Sequence, residues 1–350
     1  MRITVVGPAF PYKGGGAHHT TELAHRLAAA GHEVTLLSWS AQYPGFLYPG
    51  QQTISEPEGE PFPATRRELS WRRPDGWLRA GRRLRSRDLV IFAVLSPVQV
   101  PAYLGILRGI GGRTRVTALC HNVLPHEPKP YDRPLMRALL RRAGSVLVHS
   151  AGQAELARGL TERPVAVAEL PPHLPSAGGE RAPGVRGRLL FFGIVRPYKG
   201  LDVLLRALPE RVSLTVAGEF WGGLDDTRAL IDSLGLGDRV ELRPGYVPAG
   251  EINGLFDAAD ALVLPYRSAT ASQNVRLGFE HGVPVIATRV GGFPGQIREG
   301  VDGLLADPGD PASLRTAIER FYRIMEGREG FRIDRTDPEP LWKDYLAALL

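Results

Sequence analysis

The sequence predicts an α/β protein made of two doubly wound, Rossmann-like domains facing each other across a cleft. Three observations lead there. Short β-rich runs alternate with helical patterns along both halves, which argues for parallel sheets covered by helices on both faces. Near the middle, Pro171, Pro172, Pro175, Gly178, Gly179, Pro183, Gly184 and Gly187 interrupt the alternation with a composition that suits a linker. Each half also opens alike, with a strand running into a glycine-containing loop (5–16 and 192–200) and then a helix. A length of 350 residues suits two domains of about 100–200 residues each. They are expected at 1–178 and 179–332, with a helix over 333–350 packing back on the first.

In the first half, strands are expected at 2–6, 33–37, 89–95, 115–119 and 145–148, and a helix at 17–30 is closed by Gly31. Between 37 and 89 the pattern breaks into a stretch rich in proline, glycine and arginine, read as a long surface excursion with a short helix near 77–84. In the second half, strands are expected at 188–192, 212–217, 239–242, 261–264 and 284–288. Helices are expected at 201–207, 224–234, 249–258, 274–281 and 312–325, and the tail from 339 to 350 reads as one more amphipathic helix. Two such domains place a cleft at the carboxyl ends of both sheets, where open α/β folds hold their ligands.

Composition narrows the classes. Hydrophobic residues make up 43% and charged residues 23%, the balance of a globular protein and not of a disordered or collagenous chain. No apolar run reaches the roughly 18–20 residues of a transmembrane helix. The opening residues 1–10 read as a first strand and not a signal peptide, and Cys120, the sole cysteine, allows no internal disulfide; both predict a cytoplasmic protein. The net charge of +6 is concentrated: Arg66, Arg67, Arg72, Arg73, Arg79, Arg82, Arg83, Arg85 and Arg87 share one segment with only Glu68 and Asp75. Either this segment meets an anionic partner, such as nucleic acid, an anionic membrane surface or an acidic acceptor, or it is a solvated face of an arginine-biased chain. A second basic pattern, Arg133, Arg137, Arg141 and Arg142 beside Leu135, Met136, Leu139 and Leu140, keeps peripheral contact with the inner membrane face in view.

The motif G-I-V-R-P-Y-K-G at 193–200 follows a strand and precedes a helix. Glycines there let backbone N–H groups approach an anion, while Arg196 and Lys199 can bracket a diphosphate as a planar fork and a point charge. It is not a Walker loop, because Tyr198 stands where that motif requires glycine, and no G-x-G-x-x-G occurs. The alternative is a turn with two solvated cations.

The stretch from 261 to 303, A-L-V-L-P-Y-R-S-A-T-A-S-Q-N-V-R-L-G-F-E-H-G-V-P-V-I-A-T-R-V-G-G-F-P-G-Q-I-R-E-G-V-D-G, is the most informative. With V-A-G-E at 216–219, P-G-Y-V-P at 244–248 and F-D-A-A-D at 256–260, it resembles glycosyltransferase family 4. The first half fits more loosely, through the glycines at 14–16 and His121 after a strand. The resemblance implies the GT-B fold and retaining transfer of a sugar from a nucleoside diphosphate, with attack on the face the leaving phosphate departs from. It implies that Arg196 and Lys199 hold the diphosphate and that Glu280 accepts hydrogen bonds from ribose hydroxyls. It also sets Glu219 and the backbone of Tyr246 and Val247 beside the base, and His121 near the reacting anomeric carbon as a neutral, orienting imidazole. Gly15, Gly16 and Gly193 are expected where backbone approaches the donor, and the helix beginning near Ser272, Asn274 and Val275 can offer N–H groups to it. In one departure, Ser272 stands where the family has a glutamate that contacts the donor sugar, so the sugar cannot be inferred by analogy. His18, His19, His126 and Glu127 are weaker site candidates.

Absent motifs decide as well. Without D-x-D, H-E-x-x-H or a cysteine pair, no bound metal or other cofactor is expected, and no G-x-S-x-G suggests a hydrolase. The expected partners are a nucleotide-sugar donor, with UDP favoured over GDP although no residue separates them, and a hydroxyl acceptor that is a lipid, glycan, peptide or natural product; no nucleic acid is expected. The rivals are a sugar-nucleotide epimerase or phosphorylase of the same fold, excluded if free nucleotide forms only with acceptor, and a silent nucleotide-sugar-binding protein. The change at Ser272 favours the silent protein, and the presence of Lys199, Arg196, Glu280 and His121 opposes it.

Overall fold

The computed structural model describes residues 1–350 except 46, 47, 49, 126, 174–183, 270–272, 328, 329, 335 and 336. Its contacts divide the chain into two units, Met1–Leu174 with Asp337–Leu350, and Pro175–Thr336. The expected boundary near 178 lies outside the described residues.

In the first unit the strands are β1 (Arg2–Val6), β2 (Glu33–Ala41), β3 (Thr65–Ser70), β4 (Leu89–Val94), β5 (Arg115–Cys120), β6 (Ser145–Val148) and β7 (Val165–Val167). They form one parallel sheet in the order β3-β2-β1-β4-β5-β6-β7. Its helices are α1 (Gly15–Ala29), α2 (Pro74–Arg83), α3 (Val100–Ile110), α4 (Asp132–Leu140) and α5 (Ala151–Arg158). All six residues of β4 are buried, as expected of a central strand covered on both faces, and its sequence is accordingly an unbroken apolar run.

In the second unit, β8 (Arg188–Phe192), β9 (Ser213–Gly218), β10 (Val240–Pro244), β11 (Ala261–Leu264), β12 (Val285–Thr288) and β13 (Gly303–Ala306) form a parallel sheet ordered β10-β9-β8-β11-β12-β13. The helices are α6 (Leu201–Ala207), α7 (Leu224–Ser233), α8 (Ala249–Asp257), α9 (Gln273–Glu280), α10 (Phe293–Gln296) and α11 (Pro311–Glu326). The chain then returns to the first unit as α12 (Pro338–Leu349), where Trp342, Tyr345 and Leu349 join Leu23 and Leu27 of α1 over Ile3, Val5 and Ile91. On the opposite face of that sheet, Tyr103, Ile106, Met136 and Leu139 cover Val90, Phe92 and Val94. In the second unit, Leu204, Leu314, Ile318 and Phe321 pack over Leu189, Phe191 and Val216.

The interval 37–89 is not merely a surface excursion. β2 runs on to Ala41, β3 pairs with it, and α2 lies against α3. β3 escapes a reading by pattern because it is an edge strand, T-R-R-E-L-S, with only Leu69 and Ser70 buried. Asp260, the last residue of F-D-A-A-D, is fully buried and accepts hydrogen bonds from the backbone N–H groups of Arg186 and Arg188 at 2.9–3.0 Å, tying the start of β8 to β11.

Strand order reverses direction between β1 and β4 in the first sheet and between β8 and β11 in the second. Doubly wound sheets open a ligand crevice beyond the carboxyl ends of the strands at such a point. In the second unit the flanking loops are therefore the one after β8, which carries Gly193, Arg196 and Lys199, and the one after β11, which leads to α9.

Candidate functional site

β8 passes into Gly193, whose φ of +98° suits glycine. From there the loop stays beside the end of β9: the Val195 N–H donates to Glu219 O at 2.7 Å, and the Trp221 N–H donates to Val195 O at 3.1 Å. Pro197–Lys199 form a single 3-10 turn, and Gly200 follows in the left-handed region at φ +67°. A side chain at Gly200 would also overlap the carbonyl oxygen of Pro265, in the loop after β11, so the two switch-point loops touch there.

Lys199 is 9% exposed, and no carboxylate pairs with it among the described residues. Burial pushes its pKa down; nearby Tyr198 raises it, and Arg196 adds a further lowering. The ammonium lies 5.3 Å from the centre of the Tyr266 ring. Buried cations are ordinarily paired with a counter-charge. Asn274, at the start of α9, donates from Nδ2 to Phe192 O at 2.9 Å. A Cβ built on Gly193 would stand 3.4 Å from Asn274 Nδ2 and 3.6 Å from Lys199 Nζ. The bare backbone at 193 thus leaves a space bordered by two nitrogen donors. The Arg196 guanidinium lies over the rings of Trp221 (5.3 Å) and Tyr198 (5.9 Å).

The other expected residues of this unit are placed less closely. Val275 is buried to 1% exposure, so its side chain belongs to the core, and what it can offer a ligand is its N–H in the first turn of α9. Ser272 lies outside the described residues. Glu280 ends α9, six residues beyond Asn274, which sets the two about 9 Å apart along the helix and about 120° around it. It therefore does not share the face that meets Gly193. Burial raises its pKa to about 7 against the opposing pull of Arg276. Glu219 follows β9, while Tyr246 and Val247 follow β10; all three are half-buried.

In the first unit, Gly15 and Gly16 open α1, and a Cβ on Gly16 would press into the Leu95 side chain. His121 follows β5 and sits in a cluster of imidazoles. Its ring centre is 4.7 Å from that of His19 and 5.1 Å from that of His149, and His173 lies 5.0 Å from His19. Helix α12 closes the group: Trp342 stacks on His19 at 6.0 Å, and Tyr345 stacks on His149 at 5.8 Å. His149 Nδ1 lies 3.2 Å from Ala168 O, and His173 Nδ1 lies 2.9 Å from Pro171 O. Burial lowers all four pKa values, those of His149 and His173 to about 4, so the rings are neutral near pH 7. His18 instead meets Glu58 at 3.0 Å. Glu127 is exposed, and His126 lies outside the described residues. Among the described residues, no group of three His, Cys, Asp or Glu is placed to hold a metal ion.

The arginine-rich segment is largely satisfied within the protein. Arg73 and Arg79 pair with Asp75, Arg83 with Glu68 and Arg87 with Glu33, while Arg67 and Arg85 donate to the carbonyls of Phe10 and Gly109. In α4, Met136, Leu139 and Leu140 are buried and Arg133 and Arg137 are exposed.

Two family models match the chain: Glycosyltransferase Family 4 over residues 13–177 and Glycosyl transferases group 1 over residues 186–323. The chain belongs to the group 1 glycosyltransferases. A D-inositol 3-phosphate glycosyltransferase of Thermobifida fusca is 35% identical over 158 residues, 40% of this chain and 36% of that protein. The match thus spans little more than a third of that relative. A GDP-mannose-dependent alpha-(1-6)-phosphatidylinositol monomannoside mannosyltransferase of Mycolicibacterium smegmatis is 28% identical over 260 residues, 66% of each chain. The same two-domain α/β fold occurs in sucrose-phosphate synthase from Thermosynechococcus elongatus, with a TM-score of 0.72 at 18% identity over 100% of this chain and 95% of that one.

In this family 4 chain, several residues around the 193–200 loop escape a reading of the sequence. Tyr266 under Lys199 and Arg267 with Asp202 fall inside or opposite the 261–303 stretch without a chemistry that the stretch assigns to them, and Trp221 under Arg196 carries no motif; the signal is their position just beyond β11, β9 and Gly200. His149 and His173 were missed because each follows a strand singly, and only the parallel order β5-β6-β7 gathers them.

Proposed function

We propose that this family 4 protein transfers a sugar from a nucleoside diphosphate to a hydroxyl acceptor with retention of configuration. The observation that carries the reading is Lys199: a buried ammonium without a carboxylate, set at the strand-order reversal beside Gly193 and Asn274. A diphosphate there supplies the missing counter-charge, and the same cation stabilises the charge that grows on the departing phosphate. Arg196 adds a two-pronged contact with phosphate oxygens, the first N–H groups of α9 face the same anion, and Glu280 takes the ribose hydroxyls. Glu219 and the backbone of Tyr246 and Val247 lie beside the base. His121, neutral in its buried cluster, orients the sugar by hydrogen bonding. No bound metal enters this scheme.

UDP is the proposed leaving group, in keeping with a solved protein of the same fold, Anabaena HepE, described in complex with UDP-glucose. The mannosyltransferase relative, named for GDP-mannose, makes GDP the competing choice. The names of the relatives direct the acceptor search toward inositol phosphates and phosphatidylinositol mannosides. Calorimetric titration with UDP and GDP, followed by turnover of UDP-glucose, UDP-galactose and GDP-mannose with those acceptors, tests the proposal. Tight binding of one diphosphate and acceptor-dependent release of it support the reading; no binding of either refutes it. Peripheral contact with anionic lipid on the cytoplasmic membrane face is part of the proposal. The exposed Arg133 and Arg137 support it, and because the apolar face of α4 is buried in its own core, the contact is electrostatic and not insertive.

A further inference from the structure

Residues Pro265, Tyr266 and Arg267, just past β11, grip the Arg196–Gly200 turn at every step. Pro265 presents its carbonyl to Gly200, Tyr266 places its ring beneath the Lys199 ammonium, and the Arg267 N–H donates to Tyr198 O at 2.7 Å. The Arg267 guanidinium then reaches both ends of the turn. It donates from Nη1 to Pro197 O at 2.9 Å and forms a two-pronged contact with Asp202 at 2.7 and 2.8 Å. Asp202 is three residues beyond Lys199 and two beyond Gly200.

Both partners are partly exposed, 42% and 47%, and an exposed ion pair contributes little to stability. The geometry has another consequence. A lysine side chain has four rotatable carbons, and its head is positioned only as well as the backbone that carries it. Here a single planar group fixes that backbone from the neighbouring loop. The same contact also offsets the negative charge of Asp202, which follows the Lys199 turn by three residues.

We infer that Arg267 and Asp202 form a positioning pair that holds the Lys199 turn against the loop after β11 and neutralises a carboxylate beside the anion site. The inference rests on the reading of Lys199 as the diphosphate contact. It separates two roles of one residue, shape and charge, which different substitutions remove.

The test uses the full chain with UDP and GDP as calorimetric probes and acceptor-free hydrolysis of UDP-glucose and GDP-mannose as the rate. Arg267→Gln removes both roles and is expected to weaken diphosphate binding and to slow hydrolysis by about 10–100-fold, the scale set by misplacement of a catalytic group. Arg267→Lys keeps the charge without the fork, so affinity stays near wild type while the rate falls. Arg267→Gln combined with Asp202→Asn removes the uncompensated carboxylate, so affinity recovers while the rate stays low. A purely structural pair would lower the melting temperature of all three variants without this split between affinity and rate. Lys199→Ala run alongside keeps the layers distinct. Wild-type affinity and rate in Arg267→Gln, with Lys199→Ala impaired, would overturn the positioning pair alone; an unimpaired Lys199→Ala would overturn the diphosphate reading and the pair with it. If Arg267→Gln does not fold, Arg267→Lys decides, because an unchanged rate in that variant is sufficient to reject the role.

Discussion

Replacing Lys199 is the sharpest perturbation available. At a separation of about 4 Å and an effective dielectric of about 20, an ammonium and a phosphate oxygen attract by about 4 kcal/mol, and the burial of Lys199 keeps water from screening much of it. Only the part that grows between bound donor and transition state acts on the rate, and donors of this kind are worth about 10²–10³ in kcat. Lys199→Ala is therefore expected to lower kcat by that factor and to raise KM less. Lys199→Met keeps the length of the stem and removes an unpaired buried cation, so it is expected to melt at a higher temperature than wild type while losing the same activity. The pH dependence has a defined sign. Burial holds the folded pKa below the ordinary lysine value, so diphosphate affinity falls as pH rises, sooner than an exposed lysine would allow. Steady-state kinetics, UDP and GDP calorimetry and thermal melting read all three effects. Wild-type turnover in Lys199→Ala with unchanged nucleotide affinity would refute the reasoning.

Four further outcomes are expected. If Glu280 accepts from the ribose it must be ionised, so donor KM should rise as pH falls through about 7, and Glu280→Gln should flatten that profile; an unaltered profile in the variant removes Glu280 from the site. Because the proposed scheme uses side chains and helix N–H groups at the diphosphate, turnover should persist in excess EDTA, and loss restored by magnesium or manganese would contradict it. The imidazoles of His149 and His173 titrate near 4 when folded and near 6.5 when unfolded, so the stability they contribute is complete above pH 6.5 and lost as pH falls toward 4. Urea unfolding at pH 7 and pH 5 should show a lower midpoint at the more acid value, and equal midpoints would count against neutral burial. Sedimentation with anionic vesicles should exceed that with neutral ones and decline with salt, as expected for arginines whose helix keeps its apolar face inside; salt-insensitive pelleting, or none, would argue against lipid contact.

The sheets were legible where burial on both faces writes an unbroken apolar run. β1, β6, β8 and β11 fall at the expected residues, and β4 and β5 within one residue of them. Legibility failed at edges. β3 has one polar face toward solvent and only two buried residues, and β7 is three residues long, so neither carries a period that stands out. α3 went unnoticed because V-P-A-Y-L-G-I-L-R-G-I is apolar nearly all round, which masks helical period. Around the candidate site, the strand–turn–helix passage through Gly193 to Gly200 could be read because it is contiguous in sequence. The grip of Arg267 on that loop could not, since it links residues 65 and 70 positions apart. The internal pairing of the arginine segment could not be read for a similar reason. One of its counter-ions, Glu33, belongs to a strand that sequence does not show to be adjacent.

The docking of α12 on the first unit sets an order of events during synthesis. The histidines of that unit, and the strands they follow, leave the ribosome long before Trp342 and Tyr345 do, and the whole of the second unit intervenes. Until α12 emerges, His19 lacks the indole that stacks on it, and the layer over Ile3, Val5 and Ile91 lacks part of its cover. The unit begun first is therefore completed after the second. A nascent chain stalled after the second unit would carry an open apolar seam on its amino-terminal half, the kind of surface that chaperones hold and that invites association with a neighbouring copy.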